Sequence, residues 1–219
     1  MCFTEKQSYI NFILLVLGAL YKRNNLRLAL PLLFLSLKDL IQGLLYRYKD
    51  NREINNKLTI LSWVHICFQP LFVNLFSSNS SKNDSAYWSS IFLMCILFGF
   101  YMMTVLNDLD IQNDPDCDSD GKDDFCADET LSYQGKYHIA YRFRTDKYIY
   151  QKLCIYFMLM FIPPLLVGPF GSGLAWPMFI GLIYALCRKL GFGEFAAIWC
   201  FASVIYLPIA IFEETFSLK

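Results

Sequence analysis

The chain has 219 residues, carries 19 acidic and 19 basic side chains, and is 56% apolar or aromatic. A net charge of zero leaves no electrostatic footprint for nucleic acid, so no nucleic-acid partner is expected. The length allows one helical bundle with one decorated loop. Apolar runs follow one another along most of the chain, which excludes a soluble domain and makes the lipid bilayer the expected solvent.

The runs lie near 9–21, 27–47, 58–76, 87–106, 148–167, 173–189 and 195–213. A bilayer core roughly 30 Å thick takes about 20 residues per helix, so each reads as a transmembrane span. Helices are expected because backbone groups in lipid must be paired within the segment, and the runs lack the alternation of barrel strands. The fold class is therefore read as all-α: an integral membrane, multi-pass, seven-helix bundle in one domain, 1–219. One large polar, acidic loop, 107–147, separates helices 4 and 5. Glu5, Lys6 and Gln7 precede the first span and no small-residue cleavage site follows it, so a retained signal anchor is expected.

Pro31 stands near the start of helix 2, whereas Pro70, Pro163, Pro164, Pro177 and Pro208 fall within spans and should kink them. Neighbouring helices, polar side chains or water are expected to take the carbonyls these prolines leave unpaired. Gly168-Pro169-Phe170-Gly171-Ser172-Gly173 predicts a tight turn between helices 5 and 6, and Gly191 and Gly193 one between 6 and 7. Tyr46, Tyr48, Tyr87, Trp88, Tyr148, Tyr150 and Trp176 cluster at span ends, as in an aromatic belt.

Lys6, Arg47, Lys49, Arg52, Lys57, the basic residues of the long loop, Arg188 and Lys189 fall on the N-terminal side. Lys22, Arg23, Arg27, Lys82 and Lys219 oppose them. The positive-inside rule then places the N-terminus in the cytoplasm, although the excess is small once the long loop is set aside. Cys67, Cys95, Cys154, Cys187 and Cys200 read as small hydrophobes within spans. Cys117 and Cys126 can close a disulfide only if the loop faces an oxidising compartment, which this orientation disfavours.

The loop carries the most specific local pattern, Asp116-Cys117-Asp118-Ser119-Asp120-Gly121-Lys122-Asp123-Asp124. Alternating aspartates on a turning loop converge oxygens on one point, as calcium requires. Asp116, Asp118, Asp120 and Asp124 are the expected ligands, with calcium stiffening the loop rather than serving catalysis. The tract resembles the calcium loops of EF-hands and thrombospondin-type repeats, but Ala127 stands where an EF-hand has its closing Glu. Read as plain composition, the same tract is an acidic, solvated loop. Ser132–Phe143 alternates aromatic and basic residues, which suits a segment lying on the membrane surface. The alternative is a lid carrying His138.

Within the spans, Lys38 and Asp39 fall at mid-helix 2 with Gln42 a turn on, and Ser62, His65 and Gln69 share a face of helix 3. Such groups either glue helices together or mark a ligand or ion pathway. Lys38, Asp39, Gln42, His65 and Gln69 form the candidate centre. Asp39 and Gln42 are expected to face helix 3, with Lys38 turned elsewhere.

Met1-Cys2-Phe3-Thr4, Trp63–Asn74 and Tyr133–Ala140 resemble a family of uncharacterised multi-pass membrane proteins of bacteria and large algal viruses that begin Met-Cys-Phe-Ser. The resemblance implies a seven-helix bundle with no assigned activity. Thr4 departs from the usual Ser, and Gln42 stands where members carry Glu, which removes an acid–base group. A retinal Schiff base is excluded because 195–213 contains no lysine. A three-histidine zinc site is excluded because the chain has two histidines. A mixed site of His65, Asp39, His138 and Cys2 remains conceivable. The first reading is a membrane protein binding or transporting a small polar solute or ion between helices 2 and 3. The alternatives are a metal-dependent lipid hydrolase and a non-catalytic receptor or scaffold, so whether the chain is an enzyme stays open.

Overall fold

A computed structural model describes residues 4–80, 85–107, 124, 125, 127, 129–135, 138–145, 148–166, 181, 183, 184, 187 and 192–212, with 80, 107, 192 and 195–203 described by backbone alone. Six helices account for most of these residues: α1 (Glu5–Tyr21), α2 (Leu26–Arg47), α3 (Arg52–Ser77), α4 (Ser85–Thr104), α5 (Ile149–Leu166) and α6 (Phe192–Ile211). Of these, α2, α3, α4 and α5 are long and apolar enough to cross a membrane. Leu93, Leu97 and Phe100 of α4 and Ile155, Met158 and Ile162 of α5 stand half-exposed on outward faces. That is tolerable in lipid and costly in water.

The helices start where capping chemistry allows. The Thr4 hydroxyl accepts from Gln7 N at 3.2 Å, and Asn51 Oδ1 accepts from Ile54 N at 3.1 Å. Each satisfies a donor that the first turn leaves open. The Asn51 cap starts α3 at Arg52, six residues before the expected span, so its first turns are polar and stand outside the apolar run.

Side-chain bonds fix the helix directions. Asn25 Nδ2 donates to Asn79 Oδ1 at 2.9 Å and Arg27 to the Ser78 carbonyl at 3.1 Å, joining the α1–α2 turn to the C-terminal end of α3. At the other end the α2–α3 turn meets the long loop. Gly43 lets α1 and α2 close up, since a Cβ there would lie 2.8 Å from the Tyr9 ring.

The expected polar loop contains a β-hairpin, set in a fold that is otherwise mostly helical. β1 (Leu131–Gln134) pairs antiparallel with β2 (Ile139–Arg142), Leu131 opposite Arg142 and Gln134 opposite Ile139. Gly135 N donates to His138 O at 2.7 Å across the turn. The alternation of 132–143 is thus that of a strand pair and not of a segment lying flat on lipid. Ile139, Tyr141 and Phe143 are buried in the same core as Trp63 and Met102, so the hairpin plugs one end of the bundle. Asn55 anchors it. Its amide accepts from Ser132 N at 2.8 Å and donates to Ser132 O at 3.0 Å, treating the open edge of β1 as a neighbouring strand would. Tyr46 Oη accepts from Ile139 N at 3.3 Å.

Candidate functional site

Lys38, Asp39, Gln42, His65 and Gln69 are all buried, but they divide among three neighbours. A helix turns about 100° per residue, so Asp39 and Gln42 continue the stripe of Leu28, Leu32 and Leu35, which is buried in the bundle interior. On α3 the corresponding stripe carries Asn55, Thr59 and Ser62, each buried and polar. Thr59 Oγ1 donates to Asn55 Oδ1 at 3.1 Å and Ser62 Oγ to Leu58 O at 3.0 Å.

His65 sits on the flank of α3 rather than in that stripe. Its ring stacks on Phe34 at 3.9 Å and 13°, and Phe34 stacks on Phe72 at 3.8 Å. His65 Nε2 is 2.8 Å from the Phe34 carbonyl. A carbonyl only accepts, so Nε2 carries the proton and Nδ1 is the basic nitrogen. Among the described residues, Nδ1 has no hydrogen-bond partner. Lys38 follows Phe34 by one turn and so shares its face of α2. The ring also floors an outward groove of about 370 Å³ between α2 and α3, walled by Leu37, Leu61, Phe68 and Phe72.

Gln69 answers a different helix. Tyr156 Oη of α5 donates to Gln69 Oε1 at 2.7 Å. Close by, Asn74 Nδ2 donates to the Leu159 carbonyl of α5 at 2.8 Å. Pro163 has no N–H to offer that carbonyl from four residues ahead, so Asn74 fills the vacancy a proline makes in a neighbouring helix. Trp63 Nε1 donates to Met102 O at 3.1 Å, tying α3 to α4.

Of the expected calcium ligands, Asp116, Asp118 and Asp120 lie outside the described residues, as do Cys2, Cys117 and Cys126. Asp124 is buried and committed. Its Oδ1 accepts from Tyr133 Oη at 2.7 Å and its Oδ2 from Gly193 N at 2.8 Å, in the first turn of α6. A carboxylate suits a helix N-terminus, and Gly193 permits the approach, since a Cβ there would lie 2.9 Å from the Asp124 carboxyl carbon. Glu194 and His138 are buried in the same region. Arg142 stacks over Tyr133 at 4.7 Å. Burial first, and then the Asp124 carboxylate, push the Tyr133 phenol up to about 12. Among the described residues no three His, Cys, Asp or Glu side chains are arranged to hold a metal ion, so His65, Asp39 and His138 do not form such a group; Cys2, the fourth member of the mixed site, lies outside the described residues.

Sequence reasoning missed Asn55 and Glu194. Both fall just outside the apolar runs, where a polar residue carries no signal of burial.

Residues 13–215 match the model of DUF5765, described as a family of unknown function. The chain belongs to that family. No curated protein and no solved structure matches it. Family membership assigns no chemistry to Asp39 or His65.

Proposed function

We propose that the chain is an integral membrane protein of seven spans, N-terminus in the cytoplasm, whose polar interior binds or passes a small polar solute or ion. The observation that carries this reading is Asp39. It is 0% exposed, beside Lys38 and Gln42, midway along a helix long and apolar enough to cross a membrane. A central charge costs about 2.5–3.5 kcal/mol on insertion scales, and such groups mark sites and pathways by default. The polar stripe of Asn55, Thr59 and Ser62 gives α3 a matching wettable face.

Helix directions support seven spans. Tyr156 meets Gln69 and Leu159 meets Asn74, so α5 runs parallel to α3, away from the hairpin end. α6 begins at the hairpin, at Gly193, and Tyr206 near its end packs on Phe76 near the end of α3. Two consecutive helices running the same way require the chain to return between them, and Gly181, Ile183, Tyr184 and Cys187 in that interval are helical.

The scaffold reading has its own support in Gln69, Asn74 and Trp63, whose bonds hold α4 and α5 against α3. No arrangement among the described residues favours the lipid-hydrolase reading. A calcium site in the acidic tract would draw on Asp116, Asp118 and Asp120, with Asp124 joining only through the lone pairs that Tyr133 and Gly193 leave open. Proteoliposomes holding a pH-sensitive dye, tested under proton, sodium and potassium gradients, decide between site and scaffold. Flux above protein-free vesicles that Asp39→Asn abolishes, with the melting temperature little changed, is the expected result. No flux in the wild type, with Asp39→Asn only lowering the melting temperature, would leave the scaffold.

A further inference from the structure

At the hairpin end, a cleft of about 610 Å³ lies between the first turns of α3, the residues just past α4 and the segment entering β1. Arg52, Glu53, Glu129 and Arg144 form its polar rim, and Ile60 and Leu106 its apolar floor. Both carboxylates of the rim are paired: Glu129 with Arg52 inside it, and Glu53 at 2.6 Å with Lys57, which lies outside the cleft lining. That leaves Arg144. Its backbone N–H donates to Thr130 Oγ1 at 3.1 Å, which holds the residue at the rim. Among the described residues, its guanidinium has no hydrogen-bond or ion-pair partner. One unmatched guanidinium calls for one negative charge, and its planar fork fits the two oxygens of a phosphodiester.

The floor says what the anion is attached to. Arg52 and Ile60 are eight residues apart, about 12 Å along a helix axis, which covers the headgroup layer and the first acyl carbons of a leaflet. Beyond Ile60 and Leu106, α4 presents half-exposed Leu97 and Tyr101 to the apolar phase. A free phosphate would leave this floor uncovered.

We propose that this cleft is a phospholipid headgroup site in which Arg144 holds a phosphodiester carrying one negative charge while Ile60 and Leu106 cover the first methylenes of its chains. The site rests on the reading that α3 and α4 span a bilayer.

Native mass spectrometry of the full chain in detergent, titrated with dioleoylphosphatidylglycerol, dioleoylglycerol and inorganic phosphate, tests it. Phosphatidylglycerol should bind, dioleoylglycerol should not, and inorganic phosphate should not compete at millimolar concentration. Arg144→Gln should weaken phosphatidylglycerol binding by about tenfold, the worth of a charge-assisted contact. Ile60→Trp, which fills the floor without touching the charge, should weaken it too, and keeps the test open if Arg144→Gln does not fold. Arg142→Gln, two residues away and outside the cleft, should bind as wild type. Equal binding of dioleoylglycerol, competition by inorganic phosphate, or undiminished binding by the folded Arg144 or Ile60 variants would overturn the site. Release of the chain from membranes by alkaline carbonate would instead overturn the spanning reading beneath it.

Discussion

Asp124 accepts from Tyr133 Oη on one oxygen and from Gly193 N–H on the other, and the first of these bonds adds to burial, the larger cause, in holding the proton on the phenol. An unfolded tyrosine gives up its proton near pH 10, whereas burial and the neighbouring carboxylate hold the folded Tyr133 to about 12. Between those values the unfolded chain binds fewer protons than the folded one, so this group's contribution to stability falls as pH rises through the window and is constant below it. The difference in unfolding free energy between wild type and Tyr133→Phe should therefore be level up to about pH 10 and shrink towards 12. A gap that holds level to pH 12 would mean that the phenol is solvated and the Asp124 bond inconsequential. Residue type alone did not show this role, because among alternating aspartates Asp124 reads as one more metal ligand. The burial of Lys38, Asp39, Gln42, His65 and Gln69 was legible because an ionisable or amide group amid apolar residues has few other places to go. How they divide among α2, α5 and the α2–α3 flank was not, because it depends on helix rotation and on a proline in another helix.

At the scale of elements, Asn74 and Pro163 form a unit spread over two helices. The proline withholds the donor that would close on Leu159 O, and the asparagine on α3 supplies it at 2.8 Å. Asn74→Leu should cost about 1 kcal/mol, between the cost of an orphaned buried carbonyl and the smaller average for polar contacts in membranes. Restoring the N–H with Pro163→Ala in the Asn74→Leu background should return part of that loss, read as a non-additive double-mutant cycle in detergent unfolding. Strict additivity would show that the asparagine serves something other than the vacancy. Helix existence was legible from apolar runs, and the boundaries of α2, α4 and α5 follow them closely. α1 and α3 start earlier than their runs because Thr4 and Asn51 cap them, local devices that a hydropathy window ignores. The hairpin was not legible as such: Ser132–Phe143 alternates with a strand period, but inside a polar loop the same alternation suits a membrane surface.

At the scale of the whole molecule, two sets of bonds separate two polar ends. Asn25–Asn79 and Arg27–Ser78 join the α1–α2 turn to the end of α3, while Asn55–Ser132 and Tyr46–Ile139 join the α2–α3 turn to the hairpin. Between them α3, at 26 residues, extends about 39 Å, more than the roughly 30 Å of a hydrocarbon core. The hairpin and the 48–51 turn should therefore face one compartment, and the 22–25 turn, the end of α3 and the start of α4 the other. Single cysteines at exposed positions report this: Asp50→Cys and Gln134→Cys on one side, Asn24→Cys and Ser85→Cys on the other. The background must lack the exposed Cys154 and Cys187, as well as Cys117 and Cys126. Asn55 is unsuitable as a reporter because it is buried and anchors β1. With a membrane-impermeant maleimide on sealed vesicles, positions 50 and 134 should label together, and 24 and 85 only from the opposite face. Positions 50 and 85 labelling from the same side would remove α3 as a span. Position 134 labelling with 85 would detach the hairpin from the end it plugs, and with it the starting point of α6 on which the seven-span reading depends.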